Sequence, residues 1–182
     1  MKILGSFFLV AVAALLAFAE TVKYSALENM ERSFEARLAR NPGKLPFEVL
    51  SSASAMYVPG VGVMLSSRVN LVYAVLESPF LPQTPAELAA RRQKLRQDKL
   101  DKVPVLEENM RECLAEAAVL PQFDAVRPNE QFAIGVTLFY FPSKEDTTGL
   151  PRQITMSAEK QKLINARRDK VDLAKVIQEQ IL

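Results

Sequence analysis

Residues 57–75, YVPGVGVMLSSRVNLVYAV, hold the most pattern in this chain. The stretch opens on Pro59-Gly60-Val61-Gly62 and continues as a long apolar alternation. Val61, Val63, Leu65, Ser67, Val69, Leu71, Tyr73 and Val75 fall on one side; Gly62, Met64, Ser66, Arg68, Asn70, Val72, Ala74 and Leu76 fall on the other. Period two with β-branched residues marks a strand whose second face is half covered. A strand from Val61 to Leu76 exceeds the usual ~5–6 residues, so a bend or bulge is expected near Ser66-Ser67. The glycine pair admits two readings, a phosphate cradle or a bend. A dinucleotide cradle needs G-x-G-x-x-G and then a helix whose N-terminus faces the pyrophosphate. Here there is no third glycine, and strand follows instead of helix. No Gly-Lys-Ser/Thr closes a Walker loop either. The glycines therefore predict a tight turn with a bulge.

Working outward, Gln131 to Phe141 (QFAIGVTLFYF) is apolar on both faces, as in an interior strand. The polar loop Pro142–Gly149 turns the chain, and 151–156 returns as an antiparallel partner. On the other side, Leu45 to Ala53 predicts a short first strand. Before it, Ser25 and Glu28 form a capping box for a helix with the stripe Leu27, Met30, Phe34 and Leu38, its opposite face (Arg32, Glu35, Arg40) in water. Asn41-Pro42-Gly43 ends that helix.

Thr84-Pro85-Ala86-Glu87 starts a second helix, with Thr84 as cap and Pro85 in the first turn. Apolar positions recur from Leu88 to Leu120, and Pro104 breaks the repeat near Lys102. Ser157 caps a third helix, and Asp172 to Leu182 reads as a last helical segment. The order predicts an α+β fold: a mostly antiparallel sheet of about four strands covered by three to five helices, in one domain over 20–182.

The first twenty residues, MKILGSFFLVAVAALLAFAE, have the positive start, apolar run and Ala17-Phe18-Ala19 site of a secretory signal peptide. The expectation is export to a periplasm or the cell exterior, with cleavage after Ala19. An uncleaved anchor is the alternative, since the run approaches the ~17–25 residues that span a bilayer.

Among 182 residues there is no histidine, no tryptophan and one cysteine, Cys113, and the formal net charge is +2. Missing histidine removes Ser-His-Asp and Cys-His catalysis and histidine-ligated zinc. One cysteine allows no internal disulfide, and its helical neighbours predict a buried thiol. The near-zero charge implies no nucleic-acid partner. Lys144-Glu145-Asp146-Thr147-Thr148-Gly149 lacks the alternating acids of a calcium loop and reads as a polar hairpin tip. No metal and no cofactor are expected.

Three sets of residues remain as candidates. Ser157-Ala158-Glu159-Lys160 is an S-x-x-K, in which a lysine neutralised by burial activates a serine. These four residues resemble the nucleophile motif of penicillin-binding proteins and β-lactamases, which implies a serine hydrolase using Ser157 and Lys160. The companion S-D-N and K-T-G elements are absent. The plainer reading makes Ser157 a helix cap and leaves Lys160 in solvent. Arg68 and Asn70, on the mixed face of the long strand, are candidate ligand contacts. Arg91, Arg92 and Arg96 lie in the densest basic run, a candidate for weak contact with an anionic membrane or cell-wall polymer, or else a solvated helix face. Adjacent Glu107 and Glu108 do not pair as glycosidase carboxylates. The function these features support is an exported, non-catalytic protein with a binding, accessory or structural role. The alternatives are the Ser157–Lys160 hydrolase and a membrane-tethered interaction module.

Overall fold

The computed structural model describes residues 21–40, 47–72, 84–141 and 145–182. The signal segment, the 41–43 stop and the far end of the long alternation (73–76) lie outside these residues.

Helix α1 is Tyr24–Ala39. It starts on Lys23, whose carbonyl accepts from Ala26 N at 2.9 Å, and no side chain caps it. Ser25 and Glu28 are thus already inside the first turn, and the expected box does not form. Its stripe Leu27, Met30, Phe34 and Leu38 is buried, as the spacing predicts.

Strands β1 (Glu48–Val58) and β2 (Gly62–Asn70) form an antiparallel hairpin. Register breaks at Val49/Ser51 and Ser51/Ser54 put the extra residues in β1; the second break lies opposite Ser66–Arg68, at the expected place but on the neighbouring strand. β1 is the end strand of the sheet, where extra residues disturb only one ladder. Two of its amides are taken by α1. Glu35 Oε1 accepts from Ala53 N and Glu31 Oε1 from Ala55 N, both at 2.7 Å. Glu35 is therefore engaged with the sheet rather than turned to water. Two carboxylates one helical turn apart stand in for a neighbouring strand and cover the edge.

After β2 the chain crosses through α2 (Pro85–Leu100) and α3 (Val103–Val119) to β3 (Gln131–Leu138). The crossover makes β2 and β3 parallel, with Gly62 opposite Gln131 and Val69 opposite Leu138. The helix break falls where Pro104 requires it. Thr84 and Glu87 make the reciprocal capping box, with Glu87 N donating to Thr84 Oγ1 at 3.3 Å and Thr84 N to Glu87 Oε2 at 2.7 Å. β3 lies at the centre of the sheet, as its apolar sequence predicts.

Strand β4 (Gln153–Glu159) returns antiparallel to β3 and runs straight into α4 (Lys160–Asp169). Ser157 is paired with Ala133 inside the ladder and caps nothing. The tail is not helical. Asp172 caps one short turn, Leu173–Lys175, by accepting from Ala174 N at 3.0 Å. Gln178–Ile181 then adds as β5, antiparallel to β4, and Glu179 reaches Arg111 on α3 at 2.7 Å. Backbone pairing and one ion pair outweigh the weak helical spacing of Val176, Ile177 and Ile181.

The result is α+β. Strand order is β1-β2-β3-β4-β5, and three of the four pairs are antiparallel. One face is dry. Val63, Leu65, Val69, Phe132, Ile134, Val136, Ile154 and Met156 are buried there with Leu106, Met110 and Leu114 of α3 and Leu163 of α4. No described helix covers the other face, which carries Met64, Ser66, Arg68, Ala133, Gly135, Thr137, Thr155 and Ser157.

Candidate functional site

The glycine pair forms a bend, and its shape follows from its residues. Val61 N donates to Val58 O at 3.0 Å, Pro59 takes the second position and Gly60 the third with φ 83°. Proline followed by a left-handed glycine is the type II turn pattern. Gly62, at φ 133°, lies flat against the next strand. A Cβ there would sit 1.9 Å from Gln131 O, so no other residue fits.

An anion does sit at the turn, and it is the protein's own. Glu130 is buried just before β3. Its Oε1 accepts from Gly60 N at 2.8 Å, and its Oε2 from Arg127 N at 3.0 Å and from Tyr57 Oη at 3.1 Å. Burial alone would raise this carboxyl. The donated hydrogen bonds from Arg127, Gly60 and Tyr57 prevail and hold it below the ordinary carboxylate range. Burial and the same carboxylate push the Tyr57 phenol up. Glu130 O also accepts from Lys160 N at 2.9 Å, and Gln131 N donates to Val61 O at 2.8 Å. The turn is thereby fixed from beneath by the residues that open β3 and α4.

Lys160 belongs to this support. It is buried, and its ammonium donates to Phe123 O at 2.8 Å and Val126 O at 2.9 Å. Desolvation lowers its pKa, against the pull of Asp124 and Glu130. The expectation of a solvated lysine fails because the carbonyls of the short turn Pro121–Phe123 and its exit need a donor in the core. Ser157 alternates with buried Met156 and Ala158, so its hydroxyl is on the uncovered face while the Lys160 amine is on the core side. The fold does not bring the S-x-x-K pair together.

The remaining candidates separate in the same way. Arg68 is exposed on the open face, opposite Thr137. Asn70 is buried and engaged, donating to Glu48 Oε2 at 3.1 Å and accepting from Val72 N at 3.4 Å. Arg91, Arg92 and Arg96 all lie on α2, a helix whose only buried residue is Lys99. Arg96 Nε donates to Thr148 O at 2.6 Å and lies 3.8 Å from Asp146. Lys99 Nζ meets Glu145 at 2.5 Å, with side-chain exposures of 1% and 4%, and lies 5.0 Å from the Tyr140 ring centroid. The loop read as a polar tip is therefore a dock for α2, and Glu145 is not in water. Glu87 and Arg91, like Lys94 and Asp98, stand four apart on the helix, a spacing that balances charge along its outer side.

Two shallow cavities of about 300 and 470 Å³ adjoin along the groove between α1 and α3, both lined by Ser33 and Glu116. Arg37 bridges that groove to Glu112 and Glu116. Cys113 lies at its floor, and burial pushes its thiol up to about 12, far from a nucleophile's range. Among the described residues no group of three or more acidic or cysteine side chains is placed to hold a metal ion. No described helix is long and apolar enough to cross a membrane.

What points outward at the glycine turn is apolar. Met56 and Met64 face each other across β1 and β2 on the open face, 53% and 46% exposed. Val58 and Val61, 38% and 50% exposed, flank Pro59 and Gly60. The alternation of the sequence displays these residues, but only the Glu130 support, made by the segment before β3, shows that they ride on a fixed turn. No protein-family model matches this chain, and no curated protein or solved structure does.

Proposed function

We propose that this chain is an exported, non-catalytic protein with a binding or accessory role, and that it makes contact through the β1–β2 turn and the adjoining open face of the sheet. The observation that carries this reading is the apolar cluster Met56, Val58, Val61 and Met64, exposed on a turn whose amide N–H groups are bonded from within. Contiguous exposed apolar side chains, as distinct from the apolar residues exposed elsewhere on the surface, mark contact sites. The groups with nucleophile or base chemistry support it from the other direction. Lys160, Glu130 and Cys113 are each committed to the interior.

Methionine footprinting tests the reading. Met30, Met110 and Met156 are buried and serve as internal controls. In the compartment to which the protein is exported, Met56 and Met64 are expected to oxidise several-fold more slowly than in the purified protein, with the controls unchanged. Equal rates in both settings would remove the turn from the reading. A fluorophosphonate probe addresses catalysis separately. No labelling of Ser157 is expected, and stoichiometric labelling overturns the non-catalytic assignment.

A further inference from the structure

We infer that the β1–β2 turn docks on a phospholipid surface, seating Val58, Pro59, Val61, Met56 and Met64 among the headgroups with Arg127 at a phosphate. The inference rests on the functional reading above and names the partner of that same site.

Three observations favour lipid over protein. The first is polarity. Burying a turn is costly when its amides are left unbonded. Here Gly60 N is held by Glu130 and Val61 N by Val58 O, and Pro59 has none, so the tip offers no free N–H. Docking therefore strands no amide N–H, provided that the Pro59 and Gly60 carbonyls keep headgroup water. The second is shape and size. The tip is convex, made of a few aliphatic side chains, and lacks the tryptophan and tyrosine anchors of protein hot spots. Its four half-exposed side chains are few beside the about 20–30 residues a side of a stable protein interface. A soft, laterally mobile surface accepts such a tip without a complementary pocket. The third is charge. Arg127 donates its backbone N–H to Glu130, yet its side chain is 72% exposed and its Nε stays 4.0 Å from that carboxylate. That ion pair is loose, and the exposed guanidinium can turn its remaining N–H groups to a phosphate at the base of the tip. Beyond it, Lys162 is held by Glu159 at 2.8 Å, a closer pair than that of Arg127.

The absence of tryptophan makes the test clean. Val61→Trp places a single reporter at the tip, and Val119→Trp places one at the end of α3, at a similarly exposed position. The probe is vesicles of phosphatidylcholine containing phosphatidylglycerol, with and without brominated chains. The Val61→Trp emission is expected to shift to the blue and to be quenched by brominated lipid, while Val119→Trp stays silent. In cosedimentation of the otherwise native chain, Val58→Asp and Val61→Asp are each expected to weaken partitioning roughly tenfold or more, from the lost burial of one valine. Far-ultraviolet circular dichroism checks that both variants fold. A silent Val61→Trp overturns the lipid inference. If Met56 and Met64 remain protected in the native compartment in that case, the site binds a protein and the functional reading stands. If they are not protected, both fall.

Discussion

Gly60 and Gly62 stand two residues apart and are required for different reasons. Gly60 is required by its backbone angle alone, since a Cβ there meets nothing within 4 Å. Gly62 is required by space, with Gln131 backbone where its Cβ would be. Gly60→Ala is therefore expected to cost about 1–2 kcal/mol. Gly62→Ala is expected to cost at least about 3 kcal/mol, because β2 and β3 must separate. Urea denaturation of the two variants checks the order, and a smaller loss for Gly62→Ala contradicts the close approach. The sequence discloses the turn but not its buried anion, because Glu130 lies 70 residues from Gly60. Glu130→Gln is expected to lose about 1–3 kcal/mol at neutral pH, through weaker acceptance from three donors. The native carboxyl titrates lower folded than unfolded. Its contribution is whole above the unfolded value near ~4.3 and vanishes as pH falls through the folded one. The variant and the native chain should thus converge in acid, and urea midpoints at neutral and acidic pH measure this. A gap that persists in acid assigns the loss to shape rather than charge.

Elements were legible where side chains alone dictate them. The Thr84-x-x-Glu87 box and Pro104 fix the ends of α2 and α3, and the β-branched alternation fixes β2. They were illegible where a distant group supplies the missing bonds. β5 has four exposed residues and is held by the β4 ladder and Arg111. Nothing local in Gln178–Ile181 announces a strand. Lys99 and Glu145 show the same blindness: each reads as a solvated charge, and together they form the buried peg of α2. Lys99→Met leaves a buried carboxylate without its cation and is expected to cost about 3–5 kcal/mol. The double variant Lys99→Met, Glu145→Leu should recover most of that loss. Hydrogen exchange of α2 locates the effect: the single change should speed exchange over 85–100 and spare β3. Uniform acceleration across the sheet would mean that α2 has no separate dock.

Across the whole molecule, the sequence shows two apolar strand segments set among helices, hence the α+β class and the central place of β3. It does not show which strand pair is parallel, because that depends on how α2 and α3 cross the sheet. Nor does it show which face stays open: Ala133, Gly135 and Thr137 are small enough for either side. The S-x-x-K pair is lost at this scale, divided by the sheet itself. The two rims of the sheet are also unlike. One is sealed by the carboxylates of Glu31 and Glu35, while the other ends in the short β5. Among the described residues only the β5 rim is left for another strand, and pairing there joins one twin and no more. Sedimentation at high concentration should accordingly find association ending at pairs, and a ladder of larger species would show that the sealed rim opens. Fibre growth needs two live ends. A helix laid along β1 thus caps one end of any such stack before it can lengthen.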